Sequence, residues 1–155
     1  MAGGTCLICA KFRGEGALAG PCVWENDLVR VSHLLPGERP VVLGHLIVET
    51  RRHAVYLDGL TDAEAAAVGL AARNAARALR AEFDVVYIHS AIINAGMEHF
   101  HQHVYVRHHG TPEEYQWHRV DEWPAAPQGD AAGVATFSRR LAAHFPADGG
   151  STAAQ

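Results

Sequence analysis

The chain has 155 residues, 48% of them apolar and 19% charged, with a formal net charge of −4 when its histidines are neutral. That length suits one folded unit with a sizeable core, and mild acidity argues against broad attraction to nucleic acid or membrane surfaces. No run of about 18 apolar residues exists to span a bilayer, and Met1 to Arg13 lacks the basic start and long apolar stretch of a secretory signal. The expectation is therefore a cytoplasmic protein with a single domain over residues 1–146 and a disordered tail over 147–155.

Taken in order, the chain first offers Cys6 and Cys9 as a C-x-x-C pair, with Cys22 apart. In a reducing compartment such a pair is half of a zinc site, a redox dithiol, or neither. A glycine-rich connector, 14–20, leads to residues 22–35, where Val23, Val29 and Val31 alternate with polar neighbours as one or two strands before Pro36. Residues 41–49 form a nearly continuous apolar run, read as a central strand in which Gly44 marks a bulge or a close backbone approach. Thr61 and Glu64 make a capping box at the head of a long alanine-rich helix running to about Glu82, with Val68, Ala72, Ala75, Leu79 and Phe83 on its apolar face. Residues 84–94 then read as a strand ending at a turn at Ala95-Gly96, so a hairpin joins it to the next strand. Residues 111–129, with three prolines and Trp117 and Trp123, predict ordered loop in which the tryptophans anchor the loop or cover a site. Residues 130–145 fit a final helix through Val134, Phe137 and Leu141.

The most informative segment is His99-Phe100-His101-Gln102-His103-Val104-Tyr105. On a strand, histidines at every second position line one face at intervals of roughly 6.6 Å. His99 and His103 are then too far apart to share an ion easily, so at least one histidine is left for other work. Neutral imidazole near pH 7 is a nucleophile and a general base, and once protonated it donates well to phosphate.

These residues, together with Cys6-Leu7-Ile8-Cys9, Glu25-Asn26-Asp27, Gly44-His45-Leu46-Ile47-Val48, Arg51-Arg52-His53, the capped helix at Thr61 and Asn94-Ala95-Gly96, give the chain a resemblance to the histidine triad superfamily of nucleotide hydrolases and transferases. The likeness covers roughly residues 5–107, leaving 108–146 as a C-terminal extension. It implies an α+β fold: an antiparallel sheet of about five strands, one long helix packed on it, a C-terminal helix, and pairing into a homodimer. It also implies a nucleotide or dinucleotide-type substrate, no nucleic-acid or membrane partner and no organic cofactor. In this family the central histidine, here His101, attacks an α-phosphorus to give a covalent nucleotidyl-histidine. His103 falls on the phosphate-binding position and Asn94 on an amide position near the phosphate or ribose. Cys6, Cys9, His53 and His99 fall on the ligands of a structural zinc ion, a closed Cys2His2 set. His45 reads mainly as fold, with a hydrogen bond near the site as the lesser role.

Three departures stand out. Ser32-His33-Leu34-Leu35 holds no carboxylate where family members grip ribose, which makes His33 a candidate replacement or simply a strand residue. The loop before the triad is shortened to Ala95-Gly96-Met97-Glu98, and Gln102 replaces an apolar residue. Two further readings compete with the enzyme: a non-catalytic nucleotide-binding or interaction module, and a metal-dependent enzyme using two triad histidines as ligands.

Overall fold

A computed structural model describes residues 6–147, so all but Ala147 of the expected tail lies outside the described residues. The order of elements is α1 (Leu7–Phe12), β1 (Cys22–Glu25), β2 (Val29–His33), β3 (Val41–Val42), β4 (His45–Thr50), α2 (Asp62–Glu82), β5 (Val85–Ile92), β6 (His101–His108), β7 (Gln128–Gly129) and α3 (Ala131–Ala142), with short 3-10 turns at Leu57–Gly59 and Val120–Glu122. Five strands form one antiparallel sheet in the order β1-β2-β4-β6-β5, and β3 pairs with β7 in a separate ribbon. The α+β expectation holds. Among the described residues no helix is long and apolar enough to cross a membrane.

The strand period divides the two faces. Leu46 and Val48 of β4 and Val104 and Val106 of β6 are fully buried, and they form one core with Ala67, Val68, Ala71, Ala75, Ala78 and Leu79 of α2. Four alanines on that stripe let the helix lie close to the sheet, where apolar burial stabilises by about 25 cal/mol per Å² removed from water. The buried stripe differs from the expected one at Ala72 and Phe83, which are half-buried, while Ala71 is fully buried. Phe137 and Leu141 of α3 close the same core.

Two boundaries differ from the sequence reading. The apolar run 41–49 is two elements, because the chain turns at Leu43-Gly44: β3 leaves for the ribbon with β7, and only β4 joins the main sheet. Gly44 makes this turn at φ +103°, and a Cβ there would stand 2.8 Å from Val106 Cγ2. A side chain would meet both strain and a clash. The second difference is that β6 begins at His101, so His99 precedes the strand. Its imidazole is free of the strand's alternation and points to a different neighbourhood from His101 and His103.

The irregular segment after β6 is tied down by Arg107, whose guanidinium donates to the carbonyls of Thr111, Pro112 and Tyr115. Trp123 packs over Gly110, whereas Trp117 is exposed. The same segment carries His118, Val120 and Asp121 to the histidine face of the sheet.

Candidate active site and metal centre

Two centres flank the start of β6. The first is built by α1, which Cys6 caps and which returns Cys9 one turn later, with Cys6 Sγ accepting from the Cys9 amide. The backbone N–H of Phe100 donates to the Ala54 carbonyl at 2.6 Å, which docks the loop after β4 against the residues before β6. His53 and His99 thereby meet the two cysteines, and one ligand atom from each of the four lies within 4.8 Å of all the others. Cys6 Sγ and His99 Nδ1 are 3.3 Å apart, Cys9 Sγ and His53 Nδ1 3.5 Å, and Cys9 Sγ and His99 Nδ1 3.6 Å. With Zn–S near 2.3 Å and Zn–N near 2.0–2.1 Å, a tetrahedral site has S···N edges of about 3.5 Å. His99 is also set for the task, since its Nε2–H donates to the Thr50 carbonyl at 2.7 Å and leaves Nδ1 bare. Burial lowers the His99 pKa, favouring the neutral ligand form. The donor set fits a tetrahedral soft cation such as zinc.

The second centre holds His101 and His103, neither of which belongs to the ligand cluster. His101 is buried, and its Nδ1–H donates to the carbonyl of His99 at 2.8 Å. A carbonyl only accepts, so this bond fixes the tautomer and leaves the Nε2 lone pair unpaired. His103 Nδ1 lies 2.9 Å from His45 Nε2, and His45 Nδ1 is hydrogen-bonded to the Asp121 carboxylate. Burial, reinforced by His45 and His101, lowers the His103 pKa to about 4, so this imidazole is neutral near pH 7. Tyr105, opposite His45 in the strand register, stacks on it with ring centroids 5.0 Å apart.

His101 and His103 stand between two cavities. One, of about 240 Å³, is lined by His45, Tyr105, His118 and Asp121; the Tyr105 hydroxyl is buried and has no partner among the described residues. The other, of about 150 Å³, is walled by Leu18, Leu34, Leu35, Ile47 and Met97. At its side the buried Lys11 ammonium donates to both Glu49 carboxylate oxygens, at 3.0 and 2.7 Å, and to Ser32 Oγ at 2.6 Å.

Two sequence candidates are hydrogen-bonded to backbone groups. His33 borders the apolar cavity, yet its Nδ1–H donates to the Leu34 carbonyl at 2.6 Å and its Nε2 accepts from the Gly44 amide at 2.9 Å. It serves the β2–β4 junction and offers a ligand only ring carbons; burial lowers its pKa to about 4, in keeping with a neutral ring. The Asn94 side-chain amide donates to the Val55 carbonyl at 3.1 Å and borders neither cavity. Conversely, the sequence reading gave His45 a lesser part than its bond to His103 does, and it passed over Asp121, Lys11 and Glu49. No spacing rule links Asp121 to a histidine 76 positions earlier.

No protein-family model and no curated protein matches the sequence. Solved structures do match the fold. A zinc-bound histidine triad family protein from Mycobacterium smegmatis is 21% identical, with 90% of this chain and 94% of that one covered and a TM-score of 0.66. A Hit-like protein involved in cell-cycle regulation from Bartonella henselae is 18% identical over 93% of this chain and all of that one, with a TM-score of 0.69. A hypothetical histidine triad nucleotide-binding protein from Sulfolobus tokodaii is 14% identical over 90% and 91%, with a TM-score of 0.67.

Proposed function

We propose that this chain, which has the fold of the histidine triad proteins, is a member of that superfamily and a nucleotide hydrolase or nucleotidyltransferase acting at an α-phosphate through His101. The observation that carries the reading is the His101 tautomer, in which Nδ1–H is bound to the His99 carbonyl and Nε2 is bare, at the junction of two cavities. In the first step the Nε2 lone pair forms a bond to phosphorus as the bond to the leaving oxygen or nitrogen breaks, and the leaving group departs with that electron pair. In the second, water or another acceptor attacks phosphorus and gives up its proton to solvent, the P–N bond breaks, and its electrons return to His101 Nε2. Dividing one displacement into two is the advantage of a covalent intermediate. His103 contacts the non-bridging oxygens, where a fixed donor stabilises developing charge.

Zinc is the ion proposed for Cys6, Cys9, His53 and His99, where it would hold α1 to the residues before β6. A closed four-ligand set is structural and supplies no open position for water. The homodimer expected from the resemblance is supported by β5, an outer strand that exposes Val86, Tyr87 and Ile92.

The test is intact-mass measurement after brief incubation with dinucleoside polyphosphates, nucleotidyl sugars and nucleoside phosphoramidates. At least one should add a nucleotidyl group to the wild-type protein and none to His101→Ala, whose zinc content stays normal. Turnover that survives His101→Ala but stops on chelation would overturn the reading.

A further inference from the structure

The bond between His45 and His103 contains one hydrogen, and its owner decides what His103 can offer a phosphate. If His103 holds it on Nδ1, the neutral ring presents a bare, repulsive Nε2 lone pair to the anion. If His45 holds it on Nε2, His103 Nδ1 accepts and Nε2–H points outward as a donor. The second arrangement requires His45 to carry hydrogens on both nitrogens, because its Nδ1 already faces a carboxylate. A histidine with two hydrogens is a cation, and a carboxylate counter-ion is what favours it.

We infer that Asp121 is a positioning residue that keeps His45 as an imidazolium, so that His103 presents Nε2–H to the bound phosphate while itself uncharged. This deepens the proposed function and rests on it for the identity of the anion, though not for the protonation pattern. Three observations support it. Asp121 is supplied by the 3-10 turn after Arg119, within the segment that Arg107 pins, so the carboxylate is brought to His45 by built structure. Among the described residues its carboxylate is hydrogen-bonded to His45 alone, whereas the neighbouring acid Glu122 is paired with Arg119. Finally, His103 is flanked by two other imidazoles, His45 and His101, with ring centroids 5.1 Å away in each case. A second positive charge on His103 would be repelled, which adds to the burial that already lowers its pKa.

The titratable groups facing His45 are His103 and Tyr105 on β6, His33 on β2, and His118 and Asp121 on the C-terminal segment. Asp121 is the one carboxylate among them. Asp121→Asn keeps an oxygen to accept the Nδ1 hydrogen and removes the charge, so the ring stays in place but loses its reason to be a cation.

The experiment is ¹⁵N NMR of histidine-labelled protein near pH 7 without ligand, assigned through His45→Gln and His103→Gln. In the wild type, both His45 nitrogens should be protonated, and His103 should show a bare Nδ1 and a protonated Nε2. In Asp121→Asn the His103 tautomer should reverse, and the rate of nucleotidyl-enzyme formation should fall about 100-fold, the usual effect of losing one transition-state donor. Part of that loss should return as the pH is lowered and His45 gains its proton from solvent. A wild-type His103 bearing its hydrogen on Nδ1, or an Asp121→Asn spectrum unchanged from wild type, would overturn the inference. If no substrate yields an adduct, the enzymatic reading fails, and the wild-type spectrum still decides whether Asp121 sets the tautomer.

Discussion

Glu49 stands opposite His101 in the β4–β6 register and is only 3% exposed. A carboxylate in such a place needs a partner, and Lys11, 7% exposed, provides it. Breaking a buried pair strands a charge, whereas replacing both members by apolar groups of similar volume is often neutral. Lys11→Met is accordingly expected to cost about 3–5 kcal/mol in urea unfolding, and Lys11→Met with Glu49→Leu should recover most of it. Equal losses in the single and double variants would show that the pair contributes packing rather than charge compensation. Nothing in the sequence joins a lysine after a C-x-x-C to a glutamate at the end of an apolar run. By contrast, the meeting of Cys6, Cys9, His53 and His99 was legible, because the family resemblance picks these residues out by type and order.

At the scale of elements, α2 shows a local signal carrying global weight. Thr61 Oγ accepts from the Glu64 amide at 3.2 Å and Glu64 Oε2 accepts from the Thr61 amide at 2.9 Å, which satisfies two donors at the helix start. Glu64 also binds Arg52, in the loop that presents His53, so the cap couples the helix to the metal cluster. Thr61→Ala should cost about 1 kcal/mol in chemical unfolding. The Arg52 hydrogen bond holds the Glu64 carboxyl down to about 2, below its ordinary value of 4.5. A depressed carboxylate contributes stability that is complete above the unfolded-state pKa and lost as pH falls through the folded one. Thermal unfolding followed from pH 5 to pH 2 should therefore show a decline that is shallower in Glu64→Gln. The long helix was legible because periodicity and capping are local, and the five-strand sheet because the family resemblance implied it. The break at Gly44 was not, since it depends on Val106 and on a β7 strand whose two residues, Gln128 and Gly129, carry no strand signal.

Across the whole molecule, the Cys6, Cys9, His53 and His99 cluster joins three distant parts of the chain. In the metal-bound protein it would fix α1, the loop after β4 and the entry to β6 with respect to one another. α1 is only six residues long, too short to hold itself as an isolated helix, and its inner face rests on Ile8 and Ala10 alone among its apolar residues. An ion bound by the native state and not by the unfolded chain stabilises by mass action, about 4 kcal/mol when free metal is 1,000 times its dissociation constant. Chelation should therefore lower the thermal midpoint by several degrees, and Cys6→Ser should do the same while reducing the zinc found by elemental analysis. Hydrogen exchange should localise the loosening to α1 and residues 51–54 and leave β2, β4 and the body of β6 protected, because their ladders and the α2 core do not depend on the ion. His101 takes its tautomer from the His99 carbonyl, so any movement of His99 in the metal-free protein would reach the proposed nucleophile. The rate of adduct formation should then fall on chelation and return when zinc is restored. Purified protein without zinc, with an unfolding midpoint indifferent to chelator and added zinc alike, would remove the structural-metal reading.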